Sequence, residues 1–301
     1  MARGWKNIFE MQKAIPTERE AVKYFATIHW RSGEYCPHCK HREVYKFSDG
    51  VTFKCAACRK RFSIRVGTIF EDSKVELRKW LYAIWMLTSH KKGIASTTLA
   101  RDIGVTQKTA WFMLQRLRYA ARTRSFNRPL KGTVEVDEGY FGGKEKFKHR
   151  KDRKGLLASQ SKVLAVGLLE RGGELRVKTI ESTNEIRGEV TKHVEEGSRL
   201  MTDQATAFSG LEALYERKSF SHNRGIYGDG ADGHTNSIEG AWSLIKRQIY
   251  GIHHFVSPKH ITKYFDEAVF RYNRRNVTDK DRVAEFLGRI HGRLTYKELI
   301  A

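Results

Sequence analysis

Four cysteines constrain this chain more than any other residues. They are the only cysteines among 301 residues, and they form two C-x-x-C pairs, Cys36/Cys39 and Cys55/Cys58, with fifteen residues, 40 to 54, between the pairs. That is the spacing of a zinc site built from two knuckles. Four thiolates complete a tetrahedron and leave no open position, so the expectation is one structural Zn2+ rather than a catalytic one. A redox role for either pair is the alternative, but the sequence around them has no thioredoxin-like βαβ pattern. Short strands are expected at 44–47, 52–54 and 61–64, which together make a zinc ribbon. Its basic residues, among them Lys40, Arg42, Lys54, Arg59, Lys60 and Arg61, suit either phosphate contact or a solvated face.

Charge names the class of partner. The chain carries 56 Lys+Arg against 34 Asp+Glu, a formal net charge of +22. Such an excess points to a polyanion, and nucleic acid is the commonest one. No apolar run approaches the ~20 residues that span a bilayer, and the opening MARGWKNIFE lacks a secretory core. A cytoplasmic location without membrane contact is expected.

Helical patterns surround the ribbon. Thr17 and Glu20 make a capping box for a helix that buries Val22, Tyr24, Phe25 and Ile28. Ser73 and Glu76 repeat that pattern ahead of Leu77, Trp80, Leu81, Ile84, Trp85 and Leu87. Residues 93–124 then read as a helix, a turn at Gly104 and a second helix capped by Thr106. This is the order of a helix-turn-helix; an ordinary helical hairpin is the alternative. In the second helix Ala110, Met113, Leu114 and Leu117 face inward, while Gln107, Lys108, Thr109, Trp111, Gln115, Arg116 and Arg118 face outward. Gln107, Lys108 and Thr109 are expected near base edges, and Arg116 and Arg118 on phosphates.

After Asn127-Arg128-Pro129 the pattern changes to mixed α/β. Residues 132–137 alternate as a strand, with Val134 and Val136 facing one way and Glu135 and Asp137 the other. Strands at 162–169 and 174–180 flank a hairpin turn at Arg171-Gly172-Gly173, and a helix near 184–195 leads to a strand ending at Asp203. A further strand near 218–221, a glycine-rich loop and a helix from about Asn236 follow. Asp137 and Asp203 at strand ends suit a divalent cation. Glu239, thirty-five residues beyond Asp203, is a candidate third carboxylate or simply a capping-box glutamate behind Asn236. Trp242 is expected to pack in a helix interface, and GYFGGK lacks the spacing of a phosphate-binding loop, so no ATP use is expected.

The segments VEVDEGYFGGK, MTDQATAFSGL and HTNSIEGAWSLIKRQIYGIHHFVSPKHITKYFDEAVFRYNRR resemble DDE transposases of bacterial insertion sequences, in the ISXO-like group with an N-terminal zinc ribbon. The resemblance runs from the ribbon to the C-terminal LTYKEL. It implies an RNase H-like catalytic fold, with Asp137, Asp203 and Glu239 holding two Mg2+ (or Mn2+) ions and Lys246 on a backbone phosphate. It also implies binding to terminal inverted repeats, attack of water on a phosphodiester, and attack of the freed 3′-hydroxyl on target DNA, with no covalent enzyme intermediate. The partners implied are double-stranded DNA at transposon ends and target, and a second copy of the chain in a homodimer or larger assembly at the bacterial nucleoid. A catalytically idle DNA-binding regulator and a nuclease that only cuts are the rival readings. Glu135 and Glu138 stand next in line should the third carboxylate lie elsewhere. The basic run 144–154, with Lys148, Arg150 and Lys151, is expected to grip DNA or to form a solvated loop. The expected class is multidomain α+β: ribbon (1–70), helix-turn-helix (71–128), catalytic domain (129–280) and helical tail (281–301).

Overall fold

The computed structural model describes residues 4–30, 32–122, 128–143, 149, 151, 162–220 and 233–300. The chain divides into two compact units, Met1–Ala121 with Asn276–Ala301, and Arg122–Arg275. The segment expected as a C-terminal tail thus belongs to the same unit as the ribbon and the helices that follow it.

The first unit opens with α1 (Ile8–Ala14), which the sequence reading did not anticipate, and α2 (Glu18–His29). The capping box at α2 is present, with Thr17 and Glu20 exchanging bonds. The ribbon is an antiparallel sheet of β1 (Val44–Lys46), β2 (Thr52–Cys55) and β3 (Arg61–Ser63). Phe53 and Phe62 stack at 5.8 Å and Trp30 meets both edge-on, which gives this small module an aromatic core.

The next helix, α3 (Leu77–Ser89), departs from the expected capping. The Ser73 hydroxyl accepts from Val75 N (3.2 Å) and Trp80 Nε1 (3.2 Å), so it is not at the helix start. Glu18 caps α3 from α2 instead, accepting from Leu77 N at 2.8 Å and Arg78 N at 2.9 Å. A carboxylate there satisfies orphan amides and complements the helix dipole. Then come α4 (Ser96–Ile103), Gly104 in the left-handed region at φ 63°, and α5 (Gln107–Ala121). From the C-terminal segment, α9 (Asp279–Leu287) packs on α3, and α10 (Tyr296–Ile300) ends the unit.

The second unit is a five-stranded sheet in the order β6-β5-β4-β7-β8, built from β4 (Thr133–Phe141), β5 (Val163–Glu170), β6 (Leu175–Ile180), β7 (Arg199–Asp203) and β8 (Glu216–Phe220). The first three strands form an antiparallel meander, after which α6 (Ile186–His193) carries the chain to the other side of β4. There β7 pairs parallel to β4, and β8 parallel to β7. The alternation read from the sequence sorts the two faces. Val134, Val136, Leu164, Val166 and Leu168 pack with Ile186 and Val190 of α6 on one side. Phe141, Ala165 and Leu169 pack on the other with Ile238, Trp242 and Ile245 of α7 (Asn236–Lys246) and with Phe265 of α8 (Ile261–Asn273). This mixed sheet covered by helices is an RNase H-like arrangement. Among the described residues no helix is long and apolar enough to cross a membrane.

Candidate active site

β4 does not end at Asp137, the strand end expected from the sequence, but runs on to Phe141. What ends near Asp137 is the pairing with β7, whose register stops at Glu135 opposite Met201. Two residues further along both parallel strands stand Asp137 and Asp203, the latter the last residue of β7. Parallel register puts both aspartates on one face. Ligand oxygens of Asp137, Glu138 and Asp203 lie within 4.8 Å of one another, close enough to share a cation. Glu138 is the member of this group to which the sequence reading gave no leading role.

The electrostatics are those of crowded, half-buried acids. Asp137 is pushed up to about 7, first by burial, then by the charges of Asp203 and Glu239, with Lys246 opposing. Burial and then the Asp203 and Asp137 charges raise Glu138 to about 7 as well. Carboxylates that resist ionising together are suited to a divalent cation, which removes the repulsion. The donor set, all oxygen, fits Mg2+ or Mn2+.

Two further devices hold β7's end. Asp203 Oδ1 accepts from Ala205 N at 2.9 Å. Arg217 donates from Nε to Thr202 Oγ1 (2.9 Å) and from Nη2 to the Asp203 carbonyl (3.2 Å).

Glu239, the expected third carboxylate, lies on α7 and is not a member of the Asp137–Glu138–Asp203 group. The N-cap is Thr235, not Asn236, and the Thr235 hydroxyl donates to Glu239 Oε1 at 3.4 Å rather than capping the helix. Glu239 is therefore not a capping-box residue. Lys246 lies exposed in the last turn of the same helix. Trp242 is buried, as expected for an interface residue. It lies over Gly139 and Gly167, where an added Cβ would stand 3.3 and 2.8 Å from its ring. Gly167 is paired directly with Asp137 across the β4–β5 ladder, so the missing side chain opens room for α7 beside that aspartate.

The four cysteines converge as expected. Cys36 and Cys58 sulfurs are 3.7 Å apart, and those of Cys39 and Cys55 3.5 Å. A tetrahedron of Zn–S bonds of ~2.3 Å has edges of ~3.8 Å, whereas a disulfide is ~2.05 Å. The geometry fits one ion bound by four thiolates.

The α5 residues expected at DNA differ in exposure. Gln107 and Lys108 are exposed at the start of α5, and Gln107 Nε2 donates to Ser96 Oγ at 2.9 Å. Thr109 is half-buried and hydrogen-bonded to Thr106 at 2.9 Å. Gln115 and Arg118 do not face outward as expected: both are fully buried, which takes Arg118 away from the surface where a phosphate would be met. Arg116 is half-buried and donates from Nη1 to the carbonyls of Ile69 (3.2 Å) and Glu71 (2.8 Å), an internal clamp rather than a surface cation. Lys151 is exposed, while Lys148 and Arg150 lie outside the described residues.

Residues 129–273 match the ISXO2-like transposase domain and residues 16–61 the transposase zinc-ribbon domain. A curated relative, an uncharacterized protein in transposable element ISH50 of Halobacterium salinarum, is 31% identical over 273 residues, covering 84% of this chain and 90% of its own. Two solved structures overlap more faintly. A pre-cleavage Mos1 transpososome is 12% identical with a TM-score of 0.24, covering 71% of this chain and 80% of that one. A Mos1 transposase paired-end complex with left transposon end is 13% identical with a TM-score of 0.24, covering 69% and 76%. Overlaps this slight carry no inference about this chain.

Proposed function

The chain belongs to the insertion-sequence transposase family that joins a transposase zinc ribbon to an ISXO2-like transposase domain, and on that footing we propose that it binds the terminal inverted repeats of its element and cuts and rejoins DNA at a site formed by Asp137, Asp203 and Glu239. The observation that carries the reading is the placement of Asp137 and Asp203 just past the paired stretch of two adjacent parallel strands, with ligand oxygens within 4.8 Å. Glu239 bears on the same spot through its charge, and Glu138 stands beside it.

Asp137, Asp203 and Glu239 would hold the divalent ions, which would supply Lewis acidity to an in-line displacement at phosphorus. The protein's own part is positioning. The strand pair fixes two carboxylates, α7 brings the third, and Lys246 offers an ammonium to a backbone phosphate as a point charge. A water first breaks the phosphodiester at the transposon end and leaves a 3′-hydroxyl. That hydroxyl then displaces a target-strand oxygen from phosphorus, exchanging one P–O bond for another. Gln107, Lys108 and Thr109 read the repeat, and Lys148, Arg150 and Lys151 add salt-sensitive affinity. Zn2+ on the four cysteines supports the ribbon's fold. Pairing two ends calls for at least two copies of the chain.

The test is an end-labelled duplex carrying the element's terminal repeat, incubated with protein and Mg2+ or Mn2+. Cleavage at the repeat with joining to target DNA is expected. Cleavage alone would make it a nuclease, and binding alone a regulator.

A further inference from the structure

Glu135 stands two residues before Asp137 on the same face of β4, yet its carboxylate does not join the acidic cluster. It is fully buried. An isolated buried carboxylate costs several kcal/mol, so its partners explain its presence. Oε1 accepts from Arg171 Nε at 2.7 Å and lies 3.5 Å from His234 Nδ1. Oε2 accepts from the backbone N–H of Ile238 at 2.8 Å. Ile238 is the third residue of α7 and the immediate neighbour of Glu239. The helix takes no cap from the side chain of Thr235, and the strand supplies one instead. Arg171 completes the clamp, donating from Nη2 to the His234 carbonyl at 2.6 Å and from its backbone N–H to the Thr133 carbonyl at 2.9 Å.

Apolar packing of Ile238 and Trp242 would hold α7 on the sheet but leave its rotation and sliding weakly specified. A directional bond from Glu135 to Ile238 N fixes the helix one residue from Glu239, starting from a point on the strand ~6.7 Å from Asp137. We propose that Glu135 is a positioning residue: it locks the first turn of α7 to β4 and thereby sets Glu239 against Asp137. The proposal rests on the reading of Glu239 as the third carboxylate.

The test compares Glu135→Gln, Glu239→Gln and the double variant in the full-length protein. The readouts are Mn2+ affinity by calorimetry, single-turnover cleavage in saturating Mg2+, thermal unfolding, and amide exchange across 235–246. Direct partners of metal ligands typically change affinity or activity by ~10–100-fold, and Glu135, which bonds the residue next to Glu239, is expected at the lower end of that range. Glu135→Gln is expected to weaken Mn2+ binding and slow cleavage on that scale, and to speed exchange at the first turn of α7. In the Glu239→Gln background it should weaken Mn2+ no further. Glu135→Asp keeps the negative charge but shortens its reach to Ile238 N, so it carries the same test should the Gln variant unfold. A folded Glu135 variant with lowered melting temperature but wild-type Mn2+ affinity and cleavage would overturn the proposal while Glu239→Gln is inactive. Wild-type cleavage by Glu239→Gln would overturn both readings together.

Discussion

Trp242 lies against the bare backbone of Gly167: a Cβ there would stand 2.8 Å from the indole and 3.1 Å from Ile238 Cδ1. Gly167 faces Asp137 across the ladder, so the contact sets how near α7 comes to the first aspartate. Gly167→Ala should push the helix outward. The rigid, buried ring has nowhere to swing, and overpacking of this kind costs about 1–3 kcal/mol. Denaturant unfolding should show that loss, and cleavage should fall by more than the remaining folded fraction explains.

The carboxylate pair predicts a pH dependence of definite sign. Asp137 and Glu138 sit near 7 in the fold against ordinary values of 3.8 and 4.5. Their folded values are raised, so in metal-free protein their contribution to stability is fully present below about pH 4 and is lost as pH rises through about 7. Cation binding requires the ionised forms and releases protons. Mn2+ should therefore raise the melting temperature more at pH 8 than at pH 5.5, and calorimetry at pH 6 in two buffers should detect proton release. Equal Mn2+ effects at both pH values would contradict this.

Burial separates two basic residues of α5 that look alike in sequence. Arg118→Ala should destabilise the first unit by about 2–3 kcal/mol, because the side chain is internal. Lys108→Ala should leave stability within about 0.5 kcal/mol and lower the slope of DNA affinity against salt by about one ion. Filter binding across a salt series, alongside melting curves, checks both.

Purified protein should carry about one zinc per chain by elemental analysis. Cys36→Ser should lose it and unfold the ribbon, leaving the 122–275 unit's melting transition in place. Protein free of zinc after purification without chelator would contradict the four-thiolate site.

Local patterns were legible in the sequence. The cysteine spacing, the capping box at Thr17 and the alternation at 133–137 rest on residues within a few positions of each other. Asp137 and Asp203 were legible as neighbours only through family resemblance, because adjacent parallel strands, not spacing, bring them together. Long-range polar contacts were not legible. Glu18 caps a helix fifty-nine residues away and Glu135 one 103 residues away, and nothing near either residue announces it. Arg118 misled because α5 is packed on more than one side. Ala120 and Ala121 are buried along with Leu114 and Leu117, so the polar positions between them are internal as well.

Single-turnover cleavage of end-labelled terminal-repeat DNA by Glu239→Gln, in saturating Mg2+ and alongside Glu138→Gln, tests the account most directly. Gln preserves size and hydrogen bonding but removes a charge that the cations need. Glu239→Gln is expected to lower cleavage by orders of magnitude, with DNA affinity and melting temperature near wild type. Wild-type cleavage by Glu239→Gln, with the loss appearing in Glu138→Gln instead, would contradict it and move the third ligand from α7 to β4.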